Sequence, residues 1–155
     1  MKINVLAIGQ KMPDWVLQGV GEYQKRLPPH FQLTFIEIPL QKRAKNCDIT
    51  RLMAKEARAM LDAIPENHHV IALTIDGRQH STESMAEAIN KLQDCGQNLT
   101  LLVGGPEGLH RDCLKRADTR WSLSGLTFPH PLVRIILAES IYRVWTVLTH
   151  HPYHK

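Results

Sequence analysis

The sequence predicts an α/β fold with a mostly parallel sheet, in one domain spanning residues 1–155. Three observations carry this prediction. Apolar runs of strand length alternate with helix-length segments along the whole chain, a pattern typical of parallel sheets flanked by helices. A length of 155 residues matches one average domain. With 43% hydrophobic and 22% charged residues, the composition is that of a soluble globular protein and excludes a disordered one.

The first half of the chain predicts two strands and two helices. Met1–Gly9 is a continuous apolar run rich in Ile, Val and Leu, typical of a buried parallel strand. A helical pattern follows over Pro13–Arg26, and two prolines just beyond it stop the helix. Phe31–Ile38 alternates apolar and polar residues as a strand does, and Gln41–Asn46 is a polar, basic loop. A second helix is predicted over Asp48–Pro65, with the aspartate as its cap.

The next segments continue the alternation. Val70–Ile75 is the third predicted strand, and Asp76-Gly77 after it is predicted to form a turn. Ser81–Asp94 is a helix capped at its first residues, and Gly96 lies just past its end. Leu99–Val103 is the fourth strand and runs directly into the sequence GGPEG.

The last quarter contains a short helix, a short strand and a long helix. The short helix is predicted near Arg111–Ala117 and the fifth strand over Arg120–Leu123. A loop with the sequence LSGLTFPHP then leads into Pro131–Leu148, an apolar helix interrupted by three charged residues. Such a helix has to be buried on more than one side, either inside a monomer or partly against a second subunit.

Cysteine and charge content narrow the class of protein. Cys47, Cys95 and Cys113 are odd in number, widely separated and without a CxxC spacing, which favours a reducing cytoplasm over a disulfide framework or a zinc site. We expect no metal. No window holds the ~20 apolar residues of a membrane span, so no membrane partner is expected. A net charge of +4 permits an anionic partner.

Ligands of open α/β sheets bind outside the carboxyl ends of the strands. That rule selects Leu73–Gly77, Gly104–Gly108 and Leu123–Pro131. The glycines of GGPEG allow backbone amides to approach a ligand closely, and Pro106 fixes the turn, although a tight strand-to-helix turn explains the same residues. The sequence matches neither GxGxxG nor GxxxxGK[ST], which excludes a dinucleotide fingerprint and a P-loop.

The last of these loops carries small and apolar residues and no cation. Its small residues can read the edges of a planar heterocycle through backbone groups, and its leucines and phenylalanine can form an apolar slot. A neutral or cationic nucleoside therefore fits better than a nucleotide.

Long motifs in the chain resemble the RlmH family within the SPOUT class of knotted methyltransferases. These motifs are LLVGGPEGL, WSLSGLTFPHPLVRIILAESIYRVW and HPYHK, supported by IGQKMPDWV and KRAKN. The resemblance covers essentially the whole chain. It implies S-adenosylmethionine-dependent methylation of N3 of a pseudouridine in 23S rRNA. Two alternatives stay open: a related knotted methyltransferase acting on another RNA site, and a ribosome-binding factor without turnover.

The same resemblance implies a deep trefoil knot at the carboxyl terminus, an obligate homodimer and a cytoplasmic location. Because the basic surface is small and phosphate contacts dominate affinity for naked RNA, the expected partner is the assembled ribosome rather than free 23S rRNA. Carried over by motif, the S-adenosylmethionine site comprises Leu73, Gly104, Gly105, Pro106, Gly108, Leu123, Ser124, Gly125, Leu126, Thr127 and Phe128.

The catalytic base is not identified by the sequence. His130 is either a neutral imidazole near the cofactor or a structural residue. Glu139 and Arg143 are four residues apart and form either a simple ion pair or a site that directs the arginine to RNA. Candidates for catalysis are His130, Glu139, Arg143, Tyr153 and His154. Candidates for RNA contact are Arg134, Arg143, Tyr153 as a stacking partner of a flipped base, His154 and Lys155.

Overall fold

The computed structural model describes residues 1–155 and contains five strands and five helices. Strand and helix alternate along the chain, which confirms the predicted α/β class. The elements follow in this order: β1 (Lys2–Ile8), α1 (Asp14–Gln24), β2 (Gln32–Ile38), α2 (Ile49–Asp62), β3 (His68–Gln79), α3 (Thr82–Asp94), β4 (Asn98–Val103), α4 (Arg111–Arg116), β5 (Thr119–Ser122) and α5 (His130–Leu148).

The five strands form one sheet in the order β2-β1-β4-β3-β5, and every neighbouring pair is parallel. The central strands β1 and β4 are apolar on both faces because helices cover both sides of the sheet. Since all strands point the same way, their carboxyl ends lie together at one end of the sheet. Two of the segments selected by the sequence follow β4 and β5 at that end, and the third, Leu73–Gly77, lies within the last part of β3.

Helices cover the two faces of the sheet unequally. One apolar core joins the sheet to α1, α3 and α5, and a smaller core on the opposite face joins it to α2 and α4. The last helix, α5, packs between α1 and α3. Its nearly uniform apolar character is therefore explained by a sheet below it and a helix on each side. None of the five helices combines the length and apolarity that a membrane crossing requires.

Three of the predicted helix ends are confirmed, whereas α1 and α2 end at Gln24 and Asp62, before the predicted Arg26 and Pro65. The side chain of Asp48 accepts from the amide of Arg51 at 3.2 Å, and the hydroxyl of Ser81 accepts from the amide of Ser84 at 3.1 Å. Gly96 follows α3 with φ +68, in the left-handed region that glycine adopts without strain.

The prediction of a turn at Asp76-Gly77 is wrong, because β3 continues through both residues to Gln79. The strand is instead irregular. Leu73 and Arg78 both pair with Trp121 of β5, so the intervening residues bulge out of the ladder. A Cβ on Gly77 would lie 2.4 Å from the carbonyl carbon of Trp121. The glycine thus serves a close approach of two backbones, which local sequence does not distinguish from a turn.

Candidate functional site

A cavity of about 180 Å³ lies between the ends of β3 and β5, the start of α3 and the middle of α5. We call it the strand-end cavity. Two predicted cofactor residues, Leu73 and Leu123, line it. Binding sites for whole ligands are larger, roughly 300–1,000 Å³, so this space fits part of one. Its other walls are His80, Ser81, Thr82, Met85, Leu101, Trp121, Ser122, Ile136, Leu137, Glu139, Ser140 and Arg143.

The glycine-rich turn after β4 is tightly closed. The amide of Gly108 donates to the carbonyl of Gly105 at 3.0 Å, and Gly108 has φ +82. A Cβ on Gly104 would lie 2.4 Å from the carbonyl carbon of Gly108. Gly105 and Gly108 line a separate, very small crevice towards α2. The structure therefore does not bring these two glycines to the strand-end cavity.

The loop after β5 is held by its own serines. The hydroxyl of Ser122 donates to the carbonyl of Ser124 at 3.0 Å, and the hydroxyl of Ser124 accepts from the amide of Leu126 at 3.0 Å. Leu123 faces the strand-end cavity, Phe128 is half-buried, and Leu126 is 73% exposed. Leu126, which was predicted to form part of the apolar slot for the ligand, is thus open to solvent in the single chain.

His130 links this loop to the glycine-rich turn. Its Nε2 hydrogen bonds with the carbonyl oxygen of Gly104. Because a carbonyl only accepts, Nε2 carries the hydrogen, and in the neutral tautomer with this hydrogen Nδ1 is an acceptor. That Nδ1 is buried without a partner, as is the hydroxyl oxygen of Thr74 just after Leu73. Two unpaired polar atoms therefore belong to the segments that the sequence selected.

The carboxyl-terminal tail packs over a charged pair on α5. Arg143 donates through Nε to Oε1 of Glu139 at 2.8 Å, and the hydroxyl of Tyr153 donates to the same oxygen at 3.1 Å. The guanidinium of Arg143 lies 4.8 Å from the ring centre of Tyr153. His154 reaches Glu83 of α3 at 3.4 Å. Burial, followed by the charge of Glu139, raises the pKa of Tyr153 to about 12.

These contacts bring four of the five catalytic candidates together beside the strand-end cavity: Glu139, Arg143, Tyr153 and His154. The ion pair predicted from their spacing is present between Glu139 and Arg143. Oε2 of Glu139 has no hydrogen-bond partner within the chain, since Arg143 and Tyr153 both use Oε1. Lys155, at the end of the tail, is exposed.

Arg134 lies elsewhere. Its guanidinium is buried and donates to Glu37 at 2.9 Å and to the carbonyl of Gly9 at 3.0 Å. The arginine thereby ties the start of α5 to the ends of β1 and β2. In this conformation its charge is compensated inside the chain and does not face a phosphate.

Two features of the site were not predicted. The first is His80, whose Nε2 is buried without a partner while its ring packs 4.4 Å from that of Trp121. Burial, with a smaller contribution from the charge of Arg78, lowers the pKa of His80, so the imidazole is neutral at pH 7. No local pattern marks this residue, because the contact with Trp121 depends on the pairing of β3 with β5.

The second is a buried ion-pair cluster of Arg43, Glu56 and Glu107. Arg43 donates to both carboxylate oxygens of Glu56, at 2.9 and 2.7 Å, and to Glu107 at 2.8 Å. Glu56 is 1% exposed. The hydrogen bond from Arg43 lowers the pKa of Glu107. The cluster holds the GGPEG turn against α2. An acidic residue beside Ala57 and Met60 on the apolar face of α2 was the signal in the sequence.

Comparisons with known proteins identify the family of this chain. Residues 1–154 match the family model described as "Predicted SPOUT methyltransferase". The chain is 50% identical over 155 residues to "Ribosomal RNA large subunit methyltransferase H" of Marinomonas sp. (strain MWYL1), covering 100% of both chains. A crystal structure of a methylase family protein from Neisseria gonorrhoeae superposes with a TM-score of 0.55 at 10% identity, over 97% of this chain and 93% of that one. That likeness supports the fold alone. On the match to its family model over nearly its whole length, the chain belongs to the SPOUT methyltransferases.

Proposed function

We propose that this SPOUT methyltransferase methylates N3 of a pseudouridine in 23S rRNA, with the assembled ribosome as substrate. The observation that carries the proposal is the 50% identity, over the full length of both chains, to the large-subunit rRNA methyltransferase from Marinomonas. The two loops consist mainly of small and apolar residues and carry no lysine or arginine, which fits the same reaction. The choice of pseudouridine N3 rests on the resemblance of the motifs to the RlmH family.

SPOUT methyltransferases use S-adenosylmethionine, and the residues at the strand ends fit it. The two loops contain no lysine or arginine, and their one charged residue, Glu107, is an anion. The buried acceptors Nδ1 of His130 and Oγ1 of Thr74 lack partners within the chain. We propose that Leu73, the Gly104–Gly108 turn and Leu123–Phe128 hold this cofactor. When bound, it supplies an electrophilic methyl group on a positive sulfonium.

The chain's own part in the reaction is to position the pseudouridine and to accept the proton of its N3. N3 of pseudouridine is an imide nitrogen, so its proton must leave as the new N–C bond forms. Among the catalytic candidates, Glu139 and His130 each have an acceptor atom without a partner, Oε2 and Nδ1 respectively. Holding the reactants in a desolvated cavity supplies a large part of the rate enhancement. Replacing each acceptor separately, by glutamine for Glu139 and by asparagine for His130, and comparing pH–rate profiles distinguishes the two.

We propose that the rRNA contacts lie on α5 and the tail. Arg143, His154 and Lys155 offer positive or titratable groups, and Tyr153 offers an aromatic face for a flipped base. Stacking on Tyr153 requires exchange of its present partner, the guanidinium of Arg143. Arg134 takes a structural part in this proposal, because Glu37 and Gly9 already engage its guanidinium.

A homodimer fits the exposed apolar side chains. Trp15 of α1 is 51% exposed and Leu132 of α5 is 40% exposed. A Cβ on Gly19, one turn after Trp15, would contact Ile135, nearly one turn after Leu132. The two exposed residues therefore lie at the same end of the α1–α5 pair, and we propose that both contact a second copy. We further propose a single domain over residues 1–155, a trefoil knot at its carboxyl end and a cytoplasmic location, where ribosomes are found.

Initial rates of methyl transfer to two substrates test whether the enzyme recognises the assembled ribosome or free 23S rRNA. Ribosomes from a strain without the corresponding methyltransferase are compared with deproteinised 23S rRNA from the same ribosomes. The proposal predicts rapid transfer to ribosomes and slow transfer to the free rRNA, because the small basic surface grips naked RNA poorly. Equal rates on both would contradict recognition of the assembled particle.

A further inference from the structure

An open groove of about 520 Å³ lies along β5 at the edge of the sheet, between β3, β5 and α3. We call it the edge groove. Its rim carries Arg78, Lys91 and Arg120, and Trp121 and His80 form its inner end.

The two arginines of the rim are unusual for this chain because they are unpaired, and Lys91 beside them is unpaired as well. Arg78, Lys91 and Arg120 are exposed, and none forms an ion pair with a carboxylate. Among the arginines of the chain, Arg51 is the one other without a carboxylate partner. Two of three unpaired arginines therefore lie on one groove.

A neighbouring carboxylate does not neutralise this rim. Asp118 precedes β5, accepts from the amide of Val70 at 2.7 Å, and lies 3.6 Å from Arg116 and 3.8 Å from His69. Its charge is already shared among these groups. The rim cations thus remain without a carboxylate partner, and the release of counterions when such cations contact phosphates favours binding of a nucleic acid.

The edge groove and the strand-end cavity share a wall. His80 and Trp121 line both, and their rings lie 4.4 Å apart. A nucleic-acid strand bound along the rim would therefore continue into the strand-end cavity, where Glu139 and Arg143 lie. Exposed cations along an open groove are the feature that the phosphates of a single-stranded nucleic acid bind.

We propose that the edge groove binds the sugar–phosphate backbone of the rRNA segment next to the methylated nucleotide, through Arg78, Lys91 and Arg120. This inference rests on the proposed function and adds a second RNA surface to the one on α5 and the tail. The two surfaces lie on either side of the strand-end cavity, so the target nucleotide is held from both sides.

The test is a triple variant, Arg78→Gln, Lys91→Gln and Arg120→Gln, compared with a matched variant on the opposite face. The matched variant, Arg51→Gln, Lys55→Gln and Lys115→Gln, removes the same charge from exposed cations of α2 and α4 that also lack carboxylate partners. Ribosome binding is measured by filter retention over a series of salt concentrations, and methyl transfer is measured as kcat and KM for ribosomes. S-adenosylmethionine affinity is measured by calorimetry.

The groove variant is expected to raise KM for ribosomes at least tenfold, with kcat at saturation and cofactor affinity unchanged. Its slope of log K against log salt should fall by about 2, since three contacts to a single strand contribute about 0.7 each. The matched variant should retain the wild-type slope and KM. An unchanged slope in the groove variant, or the same loss in both variants, would overturn the proposal.

Different experimental results would contradict the proposed function and the proposed role of the edge groove. Wild-type protein that binds ribosomes without methylating them would contradict the proposed function, while the salt slopes would still test the groove. A benzoylphenylalanine incorporated at position 91 identifies the partner, and irradiation should cross-link it to 23S rRNA. Cross-links to ribosomal protein alone would overturn the assignment to RNA.

Discussion

Replacing Arg43 by alanine removes the cation that compensates the carboxylate of Glu56. Arg43 donates two hydrogen bonds to this buried group and further bonds to Glu107. Removing one partner of a buried ion pair costs about 3–5 kcal/mol, because the remaining charge is left without compensation. The pair with Glu107, whose side chain is 31% exposed, contributes at most about 1 kcal/mol. We therefore expect Arg43→Ala to lower the free energy of unfolding by about 4 kcal/mol.

Urea unfolding at fixed protein concentration measures this loss. With an m-value of about 2 kcal/mol/M, a loss of about 4 kcal/mol shifts the midpoint by about 2 M. Arg58→Ala is the matched control, since Arg58 forms an exposed i,i+4 pair with Asp62, and its effect should stay within about 0.5 kcal/mol. Glu107→Ala should cost about 1 kcal/mol or less.

A second substitution tests the cause of the loss. Adding Glu56→Gln to Arg43→Ala removes the uncompensated charge, so the double variant should be more stable than Arg43→Ala alone. If Arg43→Ala costs no more than Arg58→Ala, or if the double variant is the less stable, the ion pair does not stabilise the GGPEG turn as argued. A folded Arg43→Ala protein should also bind S-adenosylmethionine more weakly, because the turn loses its attachment to α2.

Three further predictions follow from single side chains. Gly104→Ala should weaken S-adenosylmethionine binding at least tenfold by calorimetry, because its Cβ would meet Gly108. Gly21→Ala on α1 is the control, since nothing lies within 4 Å of the added Cβ. It should stabilise the fold by about 0.5–1 kcal/mol in urea unfolding. Tyr153→Ala should reduce methyl transfer with cofactor affinity nearly unchanged, and Tyr153→Phe should recover part of the rate because the ring remains; equal losses of rate and cofactor affinity would exclude a stacking role. Burial raises the pKa of the Cys113 thiol from 9.0 to about 11, so the unfolded chain loses this proton first. The free energy of unfolding should therefore fall as the pH rises from about 9 to 11. Cys113→Ala should lack that part of the decline, and an identical decline in the variant would refute the assignment to Cys113.

Local signals predicted most of the fold. The caps at Asp48 and Ser81 depend on a side chain and an amide three residues away, and the strands depend on runs of apolar residues, so both are readable from short windows of sequence. The turn expected at Gly77 was wrong for a non-local reason. The glycine is needed because the backbone of Trp121 passes 2.4 Å from its absent Cβ, and that contact exists only once β3 and β5 pair.

Local signals in the sequence predicted less of the site than of the fold. Strand-end logic selected Leu73 and Leu123, which the structure brings to one cavity. It also grouped Gly105 and Gly108 with them, whereas these glycines line the opposite crevice beside Arg43. The edge groove depends on residues 78, 91 and 120, which lie on three different elements. No spacing in the chain joins them before the sheet forms.

Labelled methyl transfer to ribosomes from a strain without the corresponding methyltransferase, followed by nucleoside analysis of the 23S rRNA, tests the central claim most directly. The account predicts that the label appears in one nucleoside, N3-methylpseudouridine, and that transfer depends on S-adenosylmethionine. Label in another nucleoside, or in another RNA with none in 23S rRNA, would contradict it.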